Sequence, residues 1–139
     1  MNHKVGTIPF KTKDGKIAIL FITSQARGRW ILPKGTLLDR ETHKKGCERE
    51  AYEEAGIKGS ILTDYPITKL ITKSVDNNIE TVPVTFYPME VIEQFSDWPE
   101  KVKRQRHWAL LKDIDKIASR EDYLHVLRNF KQLTPWVLN

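Results

Sequence analysis

Between residues 35 and 57 the sequence GTLLDRETHKKGCEREAYEEAGI sets glycines at 35, 46 and 56 around acids at 41, 50, 53 and 54 and an arginine at 49. Such a density of acids is not ordinary surface charge. It follows the short apolar run Trp30-Ile31-Leu32 and Pro33. Proline ends a strand and Gly35 permits a tight turn, so the stretch starts as a loop leaving a strand. Thr42 to Ala55 then reads as a helix, with Gly56 where a left-handed residue closes one. On a helix advancing about 100° per residue, Glu50, Glu53 and Glu54 share one arc of about 100° with Gly46 beside them. Cys47, Ala51 and Ala55 form the neighbouring stripe of small residues. That stripe lets the helix sit close to a sheet and keeps the acids at the edge of a groove.

Like charges at i, i+3 and i+4 destabilise a helix by tenths of a kcal/mol per pair, so the cluster calls for compensation. Arg49, four residues before Glu53, offsets part of it. A set of hard oxygen donors without histidine suits Mg²⁺ or Mn²⁺ better than zinc. The spacing on the helix leaves a solvated acidic face open as the alternative.

The rest of the chain supplies a sheet. Val5–Phe10 and Lys16–Ile22 flank Asp14-Gly15, a hairpin signal. The run IAILFI is too continuously apolar for a sheet covered on one face, so it is expected in the centre. Residues 57–65, 67–73 and 79–91 read as further strands, with Pro83 marking an edge or a bulge. A polar loop from Glu93 to Arg106 precedes a last strand at His107–Leu111. Ser119 is the expected N-cap of a second helix running to Pro135. Together these elements give a single α/β (α+β) domain over residues 1–139, a mixed β-sheet sandwiched between helices.

Composition narrows the partners. The 139 residues carry 23 Lys and Arg against 18 Asp and Glu, a net charge of +5 that favours an anionic partner. No apolar run is long enough to span a bilayer, and no Lys/Arg block marks a nucleic-acid arm. The N-terminus lacks an apolar signal core, and the single Cys47 cannot form an internal disulfide, which together fit a cytoplasmic protein. Cys47 is expected as a small buried hydrophobe.

The 35–57 stretch resembles the Nudix box, Gly-x5-Glu-x7-Arg-Glu-U-x-Glu-Glu-x-Gly-U with U a bulky apolar residue. Gly35, Glu41, Arg49, Glu50, Glu53, Glu54 and Gly56 fall on its fixed positions and Ile57 on the last U, while Ala51 is smaller than the pattern prefers. The resemblance implies a Nudix α/β/α sandwich and a hydrolase of phosphoanhydride bonds in which Glu50, Glu54, Glu53 and the Gly35 carbonyl ligate Mg²⁺ or Mn²⁺. It also implies Glu53 as base or further ligand, with Arg49 and Glu41 orienting the cluster. Arg29 to Gly35, Ser96-Asp97-Trp98 and the basic run ending at Trp108 are similar to the diphosphoinositol polyphosphate and dinucleoside polyphosphate phosphohydrolases. That likeness implies a polyphosphorylated small-molecule substrate held by Lys4, Arg27, Arg29, Lys34, Arg104 and Arg106. Nucleoside triphosphate or RNA 5′-end hydrolysis and a non-catalytic nucleotide sensor are the alternatives, and a monomer or homodimer is expected.

Overall fold

In the computed structural model of the chain, which describes residues 3–138, β1 (Lys4–Lys13) and β2 (Lys16–Thr23) form the expected hairpin. Lys13 pairs with Lys16 across Asp14 and Gly15, whose φ values of 53° and 74° are those of a tight left-handed turn. β2 is central. It pairs with β1, with β3 (Trp30–Ile31) and with β8 (Arg106–Leu110), and Ile19–Ile22 are fully buried. β4 (Lys34–Thr36) pairs with the start of β1, a short strand where the sequence suggested only a loop.

The organising strand of the other half is β7 (Asn78–Gln94), parallel to β1 and antiparallel to β5 (Ile57–Ile61) and β6 (Ile67–Val75). The sheet is therefore mixed. Pro83 stands where β7 pairs with β6 alone, a locally open edge as expected, and β7 gains its second neighbour, β1, only from Val84. Pro88 occupies the gap on one flank between the end of β6 pairing at Phe86 and the start of β5 pairing at Met89. In both places a proline stands where a flank is open and a missing N–H costs no ladder bond.

Side-chain alternation sends consecutive residues to opposite faces of the sheet. Gly46 of α1 (His43–Ala55) packs close to Val5, whereas Gly6 lies under Phe86, whose ring meets Tyr123 of α3 (Glu121–Val137) edge-on. The two long helices thus cover opposite faces. Cys47 is buried and donates its thiol to the Gly6 carbonyl, and burial pushes that thiol up to about 12, so it packs α1 against β1 as expected.

The second half differs from expectation in detail. A 3-10 turn at Leu111–Asp113 and a short α2 (Ile114–Ile117) precede α3. The residue before α3 is Arg120, not Ser119, and it makes no side-chain cap; Asp122 instead accepts from the Tyr123 and Thr72 amides. α3 continues past Pro135 to Val137.

Candidate active site

Gly35 owes its identity to Glu50. A Cβ added at Gly35 would lie 2.1 Å from the Glu50 carboxyl carbon, so only glycine lets β4 pass beneath that carboxylate. α1 is anchored at both ends. Its N-cap Thr42 accepts from the Lys45 amide at 3.1 Å, and Gly56 ends it in the left-handed region at φ 65°. A helix leaves its last carbonyls without internal partners, and here each finds one. Tyr52 accepts from the Gly56 amide, Glu53 from the Glu100 amide, Glu54 from the Trp98 indole at 3.1 Å and Ala55 from Arg106 at 3.0 Å.

Arg49 ties the cluster together. Its guanidinium grips both oxygens of Glu41 at 2.8 Å, meets Glu50 at 2.5 Å and the Thr36 carbonyl at 3.0 Å, and stands 3.6 Å from Glu53. Glu41 also accepts from the Leu38 amide. Hydrogen bonding to Arg49 holds the Glu41 carboxyl down at about 2, and its bond to Glu41 raises Arg49 in turn.

Glu50 and Glu54 are each 8% exposed. Burial pushes the Glu50 carboxyl up against the opposing pull of Arg49, and pushes Glu54 up to about 8 against the pull of Arg104, 3.5 Å away. The Lys34 amide donates to Glu54 at 3.1 Å. Glu53 stands apart at the rim, its side chain 40% exposed. The three acids thus do not converge on one point: among the described residues, no three of His, Cys, Asp or Glu come together as a metal cage. What exists is an open set, two buried carboxylates close enough to interact with each other, Glu50 against Gly35 and Glu54 on the Lys34 amide. An open oxygen set suits Mg²⁺, which keeps several water or phosphate positions.

The carboxylate edge faces a cavity of about 870 Å³. Glu54 and Gly35 line it, with Lys4, Lys34, Arg27, Arg29 and Arg104 from the sequence-derived set. The loop carrying Arg27 and Arg29 is closed by Ser24, which accepts from Gly28 and Arg29 and donates to the Arg29 carbonyl, with Gly28 at φ 62°. Burial lowers Lys34 to about 8 and also lowers Lys4. Arg104 reaches Glu54, Glu100 and the Thr23 carbonyl.

Arg106, expected among the phosphate-binding cations, stands elsewhere. It does not line the cavity; its guanidinium lies 3.8 Å from the Trp98 ring centre and donates to Ala55 and Phe95 carbonyls, closing the end of α1. Sequence reasoning missed Lys73 and Arg120, which enter the cavity wall from β6 and from the start of α3. The pairing of β6 with β7 carries Lys73 there, and the docking of the start of α3 on Thr72 of β6 carries Arg120, so no local pattern could have revealed either. The capping by Trp98 was discoverable, since a helix closed by Gly56 requires partners for its last carbonyls.

The sequence profile described as NUDIX domain matches residues 2–130. Nudix hydrolase 12, mitochondrial, of Arabidopsis thaliana is 29% identical over 130 residues, covering 85% of this chain and 64% of its own length. The human diphosphoinositol polyphosphate phosphohydrolase 3-beta is 27% identical over 118 residues, covering 84% of this chain and 68% of its own. The chain therefore spans under two thirds of the length of the plant relative. In three dimensions it is similar to a C. elegans Ap4A hydrolase in a binary complex, with a TM-score of 0.74 at 22% identity over 97% of this chain and 98% of that one. At that identity the likeness concerns the fold.

Proposed function

The chain belongs to the NUDIX family, and from that premise we propose that it is a divalent-metal-dependent pyrophosphohydrolase that cleaves a phosphoanhydride bond in a polyphosphorylated small molecule by attack of water on phosphorus. One observation carries the reading: the buried Glu50 carboxylate packs against Gly35 and the buried Glu54 carboxylate accepts from the neighbouring Lys34 amide, and Gly35 and Glu54 line a cavity walled by cations. Glu50, Glu54 and the Gly35 carbonyl would hold Mg²⁺ or Mn²⁺, which supplies charge neutralisation at the phosphate oxygens and a more acidic water.

The chain's own residues do the rest. Lys4, Lys34, Arg27, Arg29 and Arg104 bind and orient the phosphates, and their charge favours the more anionic transition state. Arg49 fixes the Glu50 rotamer from behind, with Glu41 as its counter-charge. Glu53, nearest to solvent of the three acids, takes the proton of the attacking water or serves as a further ligand. The relative whose name describes a diphosphoinositol polyphosphate phosphohydrolase supports a densely phosphorylated substrate. No helix among the described residues is long and apolar enough to cross a membrane, and a cytoplasmic site of action is part of this reading.

The test is phosphate release by the purified protein with Mg²⁺ and with Mn²⁺, followed by product identification. The panel comprises dinucleoside polyphosphates, diphosphoinositol polyphosphates, nucleoside triphosphates and triphosphorylated RNA. Turnover is expected on the first two classes. Turnover confined to the last two would reassign the substrate, and inertness across the panel would leave a binding module.

A further inference from the structure

Each of the two buried carboxylates has an arginine beside it, and each arginine has a second carboxylate behind it. Glu50 is met by Arg49, whose other partner is Glu41. Glu54 stands beside Arg104, whose other partner is Glu100. The first set lies within the 35–57 stretch, whereas Glu100 and Arg104 come from the segment between β7 and β8. The Glu100 amide closes α1 at the Glu53 carbonyl, 3.0 Å away, which leaves its side chain, on the cavity wall, for another task.

The two arginines meet their carboxylates differently. Arg49 bonds Glu50 at 2.5 Å, but the Arg104 Nη2 stops 3.5 Å from Glu54, beyond the roughly 2.7–2.9 Å of a charge-assisted hydrogen bond. The rest of the guanidinium accounts for the gap. Its Nε donates to Glu100 at 3.0 Å and its Nη1 to the Thr23 carbonyl at 2.9 Å. Both anchors are themselves fixed. Thr23 is bonded to Gln105 through its amide at 3.1 Å and its hydroxyl at 2.9 Å, and the Glu100 carboxylate also accepts from Gln25 at 3.4 Å.

A guanidinium and a divalent cation compete for the same carboxylate oxygens. An arginine drawn fully onto Glu54 must be stripped off before a cation binds, at the cost of a charge-assisted hydrogen bond. One held at 3.5 Å offsets the buried charge and gives way more easily. We propose that Glu100 is a positioning residue: by holding the Arg104 Nε it restrains the guanidinium from closing onto Glu54, and so keeps Glu54 open to the divalent cation. This rests on the hydrolase reading above and deepens it, adding a residue outside the 35–57 stretch that sets cation affinity without touching the cation. The Arg104 Nη2, which makes no hydrogen bond among the described residues, remains the part of that side chain that a phosphate can engage.

The experiment is a double-mutant cycle read by calorimetric Mn²⁺ binding without substrate. Glu100→Ala is expected to weaken Mn²⁺ by about tenfold, the effect of the one charge-assisted hydrogen bond that Arg104 then makes to Glu54. Glu100→Gln, which keeps an acceptor for Nε, should recover part of that loss. In an Arg104→Gln background, Glu100→Ala should change the affinity by less than about twofold. Equal tenfold losses in both backgrounds would overturn the proposal, because Glu100 would then act on the cation directly, and so would an unchanged affinity in Glu100→Ala. A crystal structure of Glu100→Ala without divalent cations needs no change at Arg104 and is the second readout. Arg104 is expected within about 3 Å of Glu54, and an Arg104 unmoved from its wild-type place would overturn the proposal even if Arg104→Gln fails to fold. Failure of the hydrolase reading is distinguishable, since it shows as missing phosphate release on the substrate panel, whereas these readouts involve no substrate.

Discussion

A single absent methyl group sets the geometry of the carboxylate edge. With 2.1 Å between a hypothetical Cβ and the Glu50 carboxyl carbon, Gly35→Ala must displace either β4 or the Glu50 side chain. Because Gly35 lies in extended backbone that alanine adopts freely, circular dichroism should stay native while turnover falls by about a hundredfold, the usual effect of misplacing a charge-stabilising group. Undiminished turnover would show that Glu50 need not sit at Gly35. Glu41 makes a second prediction at this scale. Its carboxyl is held at about 2 by Arg49, well below the ordinary carboxylate value of 4.5. A depressed folded-state pKa contributes stability above the unfolded value and loses it as pH falls through the folded one. The stability difference between wild type and Glu41→Gln is therefore expected to be largest above pH 4.5 and to shrink toward pH 2, measured by urea unfolding; a pH-independent difference would contradict it.

At the scale of elements, α1 is held by the segment that follows β7. Trp98, Arg106 and the Glu100 amide take up its last carbonyls, and the Trp98 ring occupies the space that a side chain at Gly56 would need. Arg106→Ala leaves the Ala55 and Phe95 carbonyls without this donor and should destabilise the fold by about 1–3 kcal/mol, with Trp98→Phe, which keeps a ring and loses the N–H, nearer the lower end. Denaturant midpoints check both, and an unchanged midpoint in Arg106→Ala would remove its capping role. The sequence led Arg106 to be grouped with the phosphate-binding cations because charge alone does not reveal which carbonyl a guanidinium meets. By contrast α1 itself was legible almost to the residue, since Thr42, Gly56 and the Cys47-Ala51-Ala55 stripe are local signals of cap, stop and packing face.

Over the whole molecule, legibility followed sequence separation. The β1–β2 hairpin was readable from Asp14-Gly15, and the fixed spacing from Gly35 to Gly56 was readable as a site. The parallel pairing of β1 with β7 was not, since no short-range pattern specifies a partner about eighty residues away. That pairing lies behind the unexpected features: it puts β6 and Lys73 into the cavity wall and starts one residue after Pro83, so that the proline keeps an open flank. The partner of Glu54 is likewise tertiary, because Arg104 reaches it from the segment after β7, whereas Arg49 meets Glu53 one turn away within α1.

The central claim is that water attacks phosphorus at the Glu50 and Glu54 edge. The most direct measurement is the turnover of a phosphoanhydride substrate in oxygen-18 water with Mg²⁺, wild type beside Glu54→Gln, with the label located in the products by mass spectrometry. The expected result is one labelled oxygen in a phosphate product from the wild type and a rate lower by about a hundredfold or more in Glu54→Gln. Absence of cleavage by the wild type with either Mg²⁺ or Mn²⁺, or an undiminished rate in the variant, would contradict it.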